Sequence, residues 1–383
     1  MILYQPREDS YLLAKYVKEH AFGKVLEIGT GSGIQAITAA KQKRVKSVLA
    51  VDIQKAVVEH CKNMIRSKKI SFRQSDLFEN VSGKFDTIIF NPPYLPEDIR
   101  IKDITVEGGK KGYETVEKFL DSANGHINPD GIILLLFSSL TKKDKVNSFI
   151  ANNLLEFKEL EMQSFFMEEL YAYLIKKSDI LVQLEKKRIK DIKKLTRGHR
   201  GIIFTGMLGK KKIAVKIQIK GTGAKGTVNR ESKVLRLLNK YNIGPRILFS
   251  GNNFFVYEFV EGVFIPTLLE KASAKGIKIV LKRVFEQCNL LDRLKLKKEE
   301  MQNPYKHVII TKGNKPVLLD FERTRKTIKP HNVTQFCQYV TSGTVQHLVE
   351  GRIKIDKEKI RAMAKVYRYE PSIFNLNRIL KEI

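Results

Sequence analysis

Asn91-Pro92-Pro93-Tyr94 closes the apolar run FDTIIF, and the four residue types together suit the handling of a planar nitrogen. An amide nitrogen is a poor nucleophile because its lone pair is delocalised into the carbonyl. A site that alkylates one must orient it and stabilise the shift of charge onto nitrogen. The Asn91 side-chain oxygen and the Pro92 carbonyl can each accept one N–H of a flat NH2 group. Two consecutive prolines hold φ near about −65° and stiffen that carbonyl. Tyr94 offers an aromatic face to the same group. A sulfonium methyl then needs only in-line approach, so positioning and electrostatics carry most of the rate and no metal is required. The plainer alternative is a rigid Pro-Pro turn without chemistry.

A methyl donor needs its own pocket, and Glu27-Ile28-Gly29-Thr30-Gly31-Ser32-Gly33 follows an apolar run in the place where one would form. Its glycines let the backbone turn tightly and approach a ligand closely. Dinucleotide-binding sheets use a similar loop, so the tetrapeptide, not the loop, argues for methyl transfer over hydride transfer. Asp52 ends the next apolar run, where a carboxylate can accept two ribose hydroxyls. Asp76, in RQSDLF, stands where a third strand should end and could read an adenine edge. Glu27 suits the donor's ammonium group. Each acid alone could equally be a helix cap or a solvated loop residue. At the ends of successive strands they favour an adenosyl cofactor.

A second constellation begins near Leu195. Gly198 and Gly201, in LTRGHRG, lie in a strand-turn-strand pattern whose backbone N–H groups could cover phosphates. His199 and Arg200 would face those phosphates. Lys216 sits in Ala-Val-Lys on an alternating strand that pins its ammonium inward, and Glu231 opens the following helix, where it could pair with Lys216. Asp320, in LLDFE, matches a strand-end acid that holds Mg²⁺. Two features depart from a phosphoryl-transfer site. Gln302 and His307 occupy the positions of the expected base and metal-binding Asn, and Asp320-Phe321-Glu322 lacks the usual glycine. Asp292, in LDRL, is an alternative base.

The elements that must hold these residues are legible in the pattern. KVLEIGT, SVLAVDI, FDTIIFN and GIILLLF read as parallel strands separated by amphipathic segments, the signature of a doubly wound α/β sheet with ligands at the carboxyl ends of its strands. LYAYLIKK reads as its last strand. The expected division is residues 1–177, a basic helical linker over 178–194, and a second domain over 195–383. In that domain GIIFTGML, KIAVKIQI, RILFSG and FFVYEFV read as a small antiparallel lobe carrying the helix ESKVLRLLNKY. A mostly helical remainder follows, interrupted by HVIIT and PVLLDFE.

Composition separates the two halves. The 383 residues are 43% hydrophobic, enough for real cores, and carry a net charge of +29. Residues 1–180 hold 26 Lys+Arg and 24 Asp+Glu, whereas residues 181–383 hold 44 and 17, so nearly all the excess lies in the second half. A basic half attracts RNA, ribosomes, a nucleotide or an acidic protein; a Lys-rich surface from a heat-adapted organism is the alternative. Three scattered cysteines, without a Cys-x-x-Cys pair, give neither a disulfide framework nor a zinc ribbon. MILYQPREDS lacks the form of a signal peptide, and the longest apolar run, Ile132 to Phe137, is too short to span a bilayer. A reducing, cytoplasmic location without membrane contact is expected.

Residues 1–177 resemble the archaeal and eukaryotic branch of the HemK-like release-factor glutamine methyltransferases. The resemblance is carried by YQPREDSYLLAKYV, EIGTGSG, Asp52, SDLF, NPPYLP and VEGGKKGYETVEKFL. It implies a Rossmann-like methyltransferase sheet, S-adenosylmethionine as donor, and the glutamine of a Gly-Gly-Gln motif in a translation release factor as acceptor. It also implies a small zinc-containing activator subunit. By position, Gly29, Gly31, Asp52, Asp76 and Asn91 would contact the cofactor, and Asn91 to Tyr94 would hold the glutamine. Some members of the branch methylate lysine, and Asn-Pro-Pro-Tyr is shared with enzymes that methylate exocyclic amines of nucleic-acid bases, which keeps a base methyltransferase with a basic docking domain open. Residues 190–325 resemble the archaeal Ser/Thr kinase-like family akin to the Rio and Bud-type atypical kinases. That likeness implies an α+β bilobal domain with ATP and Mg²⁺; a pseudokinase serving as a basic RNA or ribosome dock explains the charge of the second half equally well.

Overall fold

A computed structural model describes residues 4–95, 107–166, 168–198, 200–219 and 227–383. His199 and the proline that ends NPPYLP lie outside them. The chain divides into two compact units, Met1–Arg188 and Ile189–Ile383.

In the first unit α1 (Glu8–His20) precedes β1 (Gly23–Ile28), α2 (Ile34–Ala40), β2 (Val45–Asp52), α3 (Lys55–Met64), β3 (Ile70–Gln74) and β4 (Phe85–Phe90). Then come α4 (Glu114–His126), β5 (Ile127–Ser138), α5 (Lys143–Asn152), β6 (Leu155–Phe165), β7 (Glu168–Lys177) and α6 (Asp179–Lys186). Among the described residues the strands form one seven-stranded sheet in the order β3-β2-β1-β4-β5-β7-β6. β1 to β5 run parallel, and β7 is antiparallel to both β5 and β6. The central strands β1 and β4 are almost wholly buried, as continuous apolar runs between helical layers must be. α1 shows why a helix forms there: Leu12, Leu13, Tyr16 and Val17 make one buried stripe, with Glu8 and Asp9 in the first turn and Lys18 and His20 in the last. The strand order reverses between β1 and β4, so a crevice opens beyond their carboxyl ends.

The helical linker expected over 178–194 holds only through α6, which Ser178 caps by accepting the Leu181 N–H at 3.2 Å. From Ile189 the chain is extended: β8 (Ile189–Arg197) is the edge of an antiparallel sheet ordered β11-β12-β10-β9-β8. The exposed lysines of β8 are how an edge strand discourages pairing with other chains, and they gave it the look of a linker. The other strands are β9 (Gly201–Leu208), β10 (Lys211–Gln218), β11 (Ile247–Gly251) and β12 (Phe254–Glu258), with α7 (Thr227–Asn239) packed against β10, β11 and β12.

The remainder begins with β13 (Val263–Phe264), α8 (Ile265–Lys271) and the long α9 (Ala274–Arg293). Short strands β14 (Leu296–Lys297), β15 (Val308–Thr311), β16 (Lys315–Leu318) and β17 (Arg325–Lys326) follow, then α10 (Asn332–Val340), α11 (Gly343–Val349), α12 (Lys357–Tyr369) and α13 (Ile373–Leu380). One apolar core joins α7, α9, α10, α12 and the β15–β16 hairpin. Among the described residues no helix is long and apolar enough to cross a membrane. All three cysteines are free and buried.

Candidate functional site

A cavity of about 660 Å³ lies beyond the carboxyl ends of β1, β2 and β4, a size usual for a small-molecule site. Every residue expected from sequence in this unit lines it: Glu27, Gly29 and Gly31 from the first loop, Asp52, Asp76, and the tetrapeptide Asn91 to Tyr94. Gly33 ends the loop at φ +78° as the residue before α2, and a Cβ there would stand 2.4 Å from Ile65 Cδ1. Only glycine permits that turn. Below the loop, the Cys61 thiol donates to the Gly31 carbonyl at 3.3 Å, and burial pushes its pKa up to about 11.

The acids sit in distinct environments. Asp52 accepts the Gly31 N–H at 3.1 Å and the Gln54 N–H at 2.9 Å, so the loop and the end of β2 are tied together. Burial raises its pKa against those two bonds. Glu27 is 2% exposed and accepts the Thr30 hydroxyl at 2.7 Å. Burial pushes its carboxyl up to about 8, so it is mostly protonated at neutral pH and ionises at small cost once a cation arrives. Asp76 is exposed at the rim.

At the end of β4, Asn91 Nδ2 donates to Asp9 Oδ2 at 2.8 Å, whereas Asn91 Oδ1 is buried with no hydrogen-bond partner. Gln35, 4% exposed, shows the same arrangement. Its Nε2 donates to the Ser10 carbonyl at 2.8 Å, and its Oε1 has no partner. Both residues line the cavity. A buried acceptor left without a donor is costly, so these two oxygens fit a ligand rich in N–H and O–H groups. An adenosyl sulfonium donor with its ribose hydroxyls and ammonium, beside an acceptor NH2, is such a ligand set. Tyr94 is half-buried, and burial raises its hydroxyl pKa, so the phenol stays neutral.

Sequence reasoning missed Asp9, Gln35 and Gly108. Gly108 packs behind the tetrapeptide, where a Cβ would stand 2.5 Å from the Pro93 carbonyl oxygen and 2.6 Å from that of Gly112. Its N–H donates to the Leu95 carbonyl at 2.8 Å. The signals for Asp9 and Gly108 were present in PREDSYLL and VEGG, which carried the resemblance without a role assigned to them, whereas Gln35 had none.

The second unit has a cavity of about 510 Å³, lined by Gly198, Gly201, Lys216, Glu231 and Asp320. Lys216 Nζ lies 2.6 Å from Glu231, 3.1 Å from Asp320 and 3.5 Å from Glu322. Burial works against its charge, but the three carboxylates outweigh burial and hold it above the ordinary lysine range. Glu231 Oε1 also accepts the Phe321 N–H at 3.1 Å, which anchors the segment bearing Asp320. Asp320 takes a left-handed backbone at φ +59°, a strained choice for a residue with a side chain and one common at ligand clamps. Glu231, Asp320 and Glu322 can bring three carboxylate oxygens within 4.8 Å of one another, a donor set suited to a hard cation. Arg200 pairs with Glu322 at 2.9 Å.

Two expected residues fall elsewhere. Gln302 is exposed and does not line the cavity. Asp292 is buried in a structural network, accepting from Asn332 N at 2.9 Å, Asn332 Nδ2 at 2.7 Å, Val333 N at 3.2 Å and the Tyr367 hydroxyl at 3.3 Å. With four donors on two oxygens it holds the start of α10 and has no capacity left for a base. Besides Glu231, Asp320 and Glu322, the cavity is lined by a further carboxylate, Glu300, held at 2.8 Å by Lys298, whose side chain is fully buried. His307 lines the cavity with Nδ1 3.8 Å from Asp320 Oδ2, and burial lowers its pKa.

Residues 8–166 match the methyltransferase small domain family. The chain is 42% identical over 153 residues to a Methanocaldococcus jannaschii protein described as a candidate protein N5-glutamine methyltransferase, a match covering 38% of this chain and 77% of that one. It is 28% identical over 176 residues to the release factor glutamine methyltransferase of Haemophilus influenzae, covering 39% of this chain and 60% of the relative. Among solved structures, the E. cuniculi Mtq2–Trm112 complex responsible for methylation of the eRF1 translation termination factor aligns over 46% of this chain and 100% of that one, at 24% identity and a TM-score of 0.39.

Proposed function

The chain belongs to the protein N5-glutamine methyltransferase family, and from that premise we propose that its first unit methylates the glutamine side-chain amide of a Gly-Gly-Gln motif in a translation release factor. The observation that carries the acceptor is the buried, unpartnered Asn91 Oδ1 at the cavity wall. That oxygen accepts one N–H of the incoming amide and the Pro92 carbonyl accepts the other, so the nitrogen lone pair is turned towards the donor and the growing positive charge on nitrogen meets two oxygens. Tyr94 covers the flat face of the amide and keeps water from it. Glu27 faces the donor's ammonium, Asp52 its ribose and Asp76 its adenine. S-adenosylmethionine, when bound, would supply the methyl group and leave as S-adenosylhomocysteine, and the methylated amide gives up one N–H proton to solvent.

The test is transfer of tritiated methyl from S-adenosylmethionine to the matching release factor, with and without a small zinc-ribbon activator subunit, the partner implied by the resemblance of residues 1–177. Asn91→Ala should abolish transfer. Methyl appearing on RNA and not on the release factor would replace this acceptor with an exocyclic base amine and make the basic second half its docking domain.

For the second unit we propose a nucleotide site of the atypical-kinase type. Lys216 grips phosphate oxygens, Glu231 holds Lys216 in place, and the loop of Gly198 and Gly201 covers the phosphates. Asp320 and Glu322 are the residues that would hold Mg²⁺. The supporting observation is the 2.6 Å Lys216–Glu231 pair at the wall of a cavity that also presents Asp320. ATP binding measured by calorimetry on the intact chain, lost in Lys216→Ala, tests it. Binding without phosphate transfer to any protein would mark a pseudokinase.

A further inference from the structure

We propose that Asp9 is a positioning residue for methyl transfer, acting through Asn91 by fixing which end of the Asn91 amide faces the acceptor. The inference rests on the acceptor reading above. Asp9 is 3% exposed, on the first turn of α1, and 82 residues from Asn91 in sequence. Its Oδ2 accepts Asn91 Nδ2 at 2.8 Å and the Tyr4 hydroxyl at 2.8 Å, and its Oδ1 accepts the Ser10 N–H at 2.7 Å.

An asparagine amide is nearly symmetric in shape, so packing alone does not choose between its two orientations. A carboxylate does choose, because it has acceptors and no donor. Facing Asp9, only the NH2 end of Asn91 is compatible, and Oδ1 is thereby turned to the cavity, where it has no partner. The reverse orientation would set the Asn91 oxygen against the carboxylate and aim an NH2 at the acceptor's own NH2. Asp9 therefore acts one bond away from the chemistry. Tyr4, itself at the cavity wall, holds the second lone pair of Oδ2, so that oxygen stays on Asn91 and does not swing to the substrate.

The experiment combines kinetics with side-chain NMR on the full chain. In protein labelled with ¹⁵N-asparagine, the Asn91 NH2 should resonate downfield and exchange slowly with solvent, and Asp9→Asn should abolish both features. Asp9→Asn, neutral and able to meet either end of an amide, should lower kcat on the order of a hundredfold, with donor affinity within about threefold and KM for a Gly-Gly-Gln peptide little changed. The reciprocal pair Asp9→Asn with Asn91→Asp should recover kcat at least about tenfold above either single variant. In that pair the amide at position 9 donates to the carboxylate at position 91, whose second oxygen still faces the acceptor.

Full kcat in Asp9→Asn, or an Asn91 NH2 in the unaltered chain that exchanges as fast as a free amide, would overturn the proposal. Should Asp9→Asn fail to fold, the reciprocal pair decides: recovery supports the assignment, and a folded pair no better than Asn91→Asp alone overturns it. A wild-type chain that methylates no Gly-Gly-Gln peptide, with or without the zinc-ribbon activator subunit, would sink the acceptor reading, while the NMR signals would still decide the Asp9–Asn91 pairing.

Discussion

Glu27 gives the first unit a pH dependence that can be worked through from its surroundings. Below about pH 4.5 its carboxyl is protonated in both the folded and the unfolded chain, so its burial carries no ionisation cost. Between 4.5 and about 8 the unfolded chain releases the proton while the folded chain keeps it. Stability contributed by this group is therefore fully present at low pH and lost as pH rises through that window. At about 1.4 kcal/mol per pH unit the loss approaches about 5 kcal/mol. Hydrogen exchange at the β1 amides reports opening of this unit alone and should show the loss between pH 5 and 8, whereas Glu27→Gln should be nearly flat relative to it. A cationic donor reverses the preference. Its arrival beside Glu27 favours the carboxylate, so at pH 7 binding should release about one proton. Calorimetry in two buffers of different ionisation enthalpy would read that proton, and Glu27→Gln should release none. Equal β1 stability at pH 5 and pH 8 in the wild type, with no proton released on donor binding, would refute the assignment of Glu27 to the ammonium.

Three further outcomes are expected. Gly108→Ala should drive the Pro93 carbonyl from its position, since the new Cβ meets backbone oxygens on two sides; kcat should fall about a hundredfold with donor affinity retained, measured by methyl transfer and calorimetry. Lys216→Met should abolish ATP binding and also destabilise the second unit by about 3–5 kcal/mol in urea unfolding, because Glu231 is left buried and unpaired. Asp292→Ala should cost the second unit about 3 kcal/mol or more by stranding the donors of Asn332, Val333 and Tyr367, yet leave ATP affinity unchanged at temperatures where it is folded.

The inner parallel strands were legible because both their faces are largely buried, which makes them continuous apolar runs: FDTIIF and GIILLLF could hardly be anything else. β6 was not, because its long edge position exposes most of its side chains and leaves polar residues where alternation would have signalled a strand. β8 was misread for a related reason, its outward lysines resembling solvated helix. At the site, residues with strong local chemistry were visible: Asn91 by its prolines, Lys216 as the cation inside an apolar strand. Asp9 was hidden because its role depends on a contact 82 residues away, and nothing in PREDSYLL says which side chain its carboxylate will meet. Asp292 misled for the opposite reason. An acid in a helical LDRL has the same local look whether it faces a cavity or the start of another helix, and only the fold decides. Glu300 escaped notice because spacing pointed to Gln302, two positions further on.

The thiols turn these differences into something that can be timed. Cys61 lies under the Gly31 carbonyl, while Cys288 and Cys337 lie inside the core of the other unit with their pKa values pushed up, that of Cys337 to about 12. None can react with an alkylating reagent while its surroundings stay closed. Labelling of Cys61 thus clocks the lifting of the glycine loop, and labelling of the other two clocks the melting of their own core. With no tryptophan in the chain to follow by fluorescence, those three sulfur atoms are native reporters for each half.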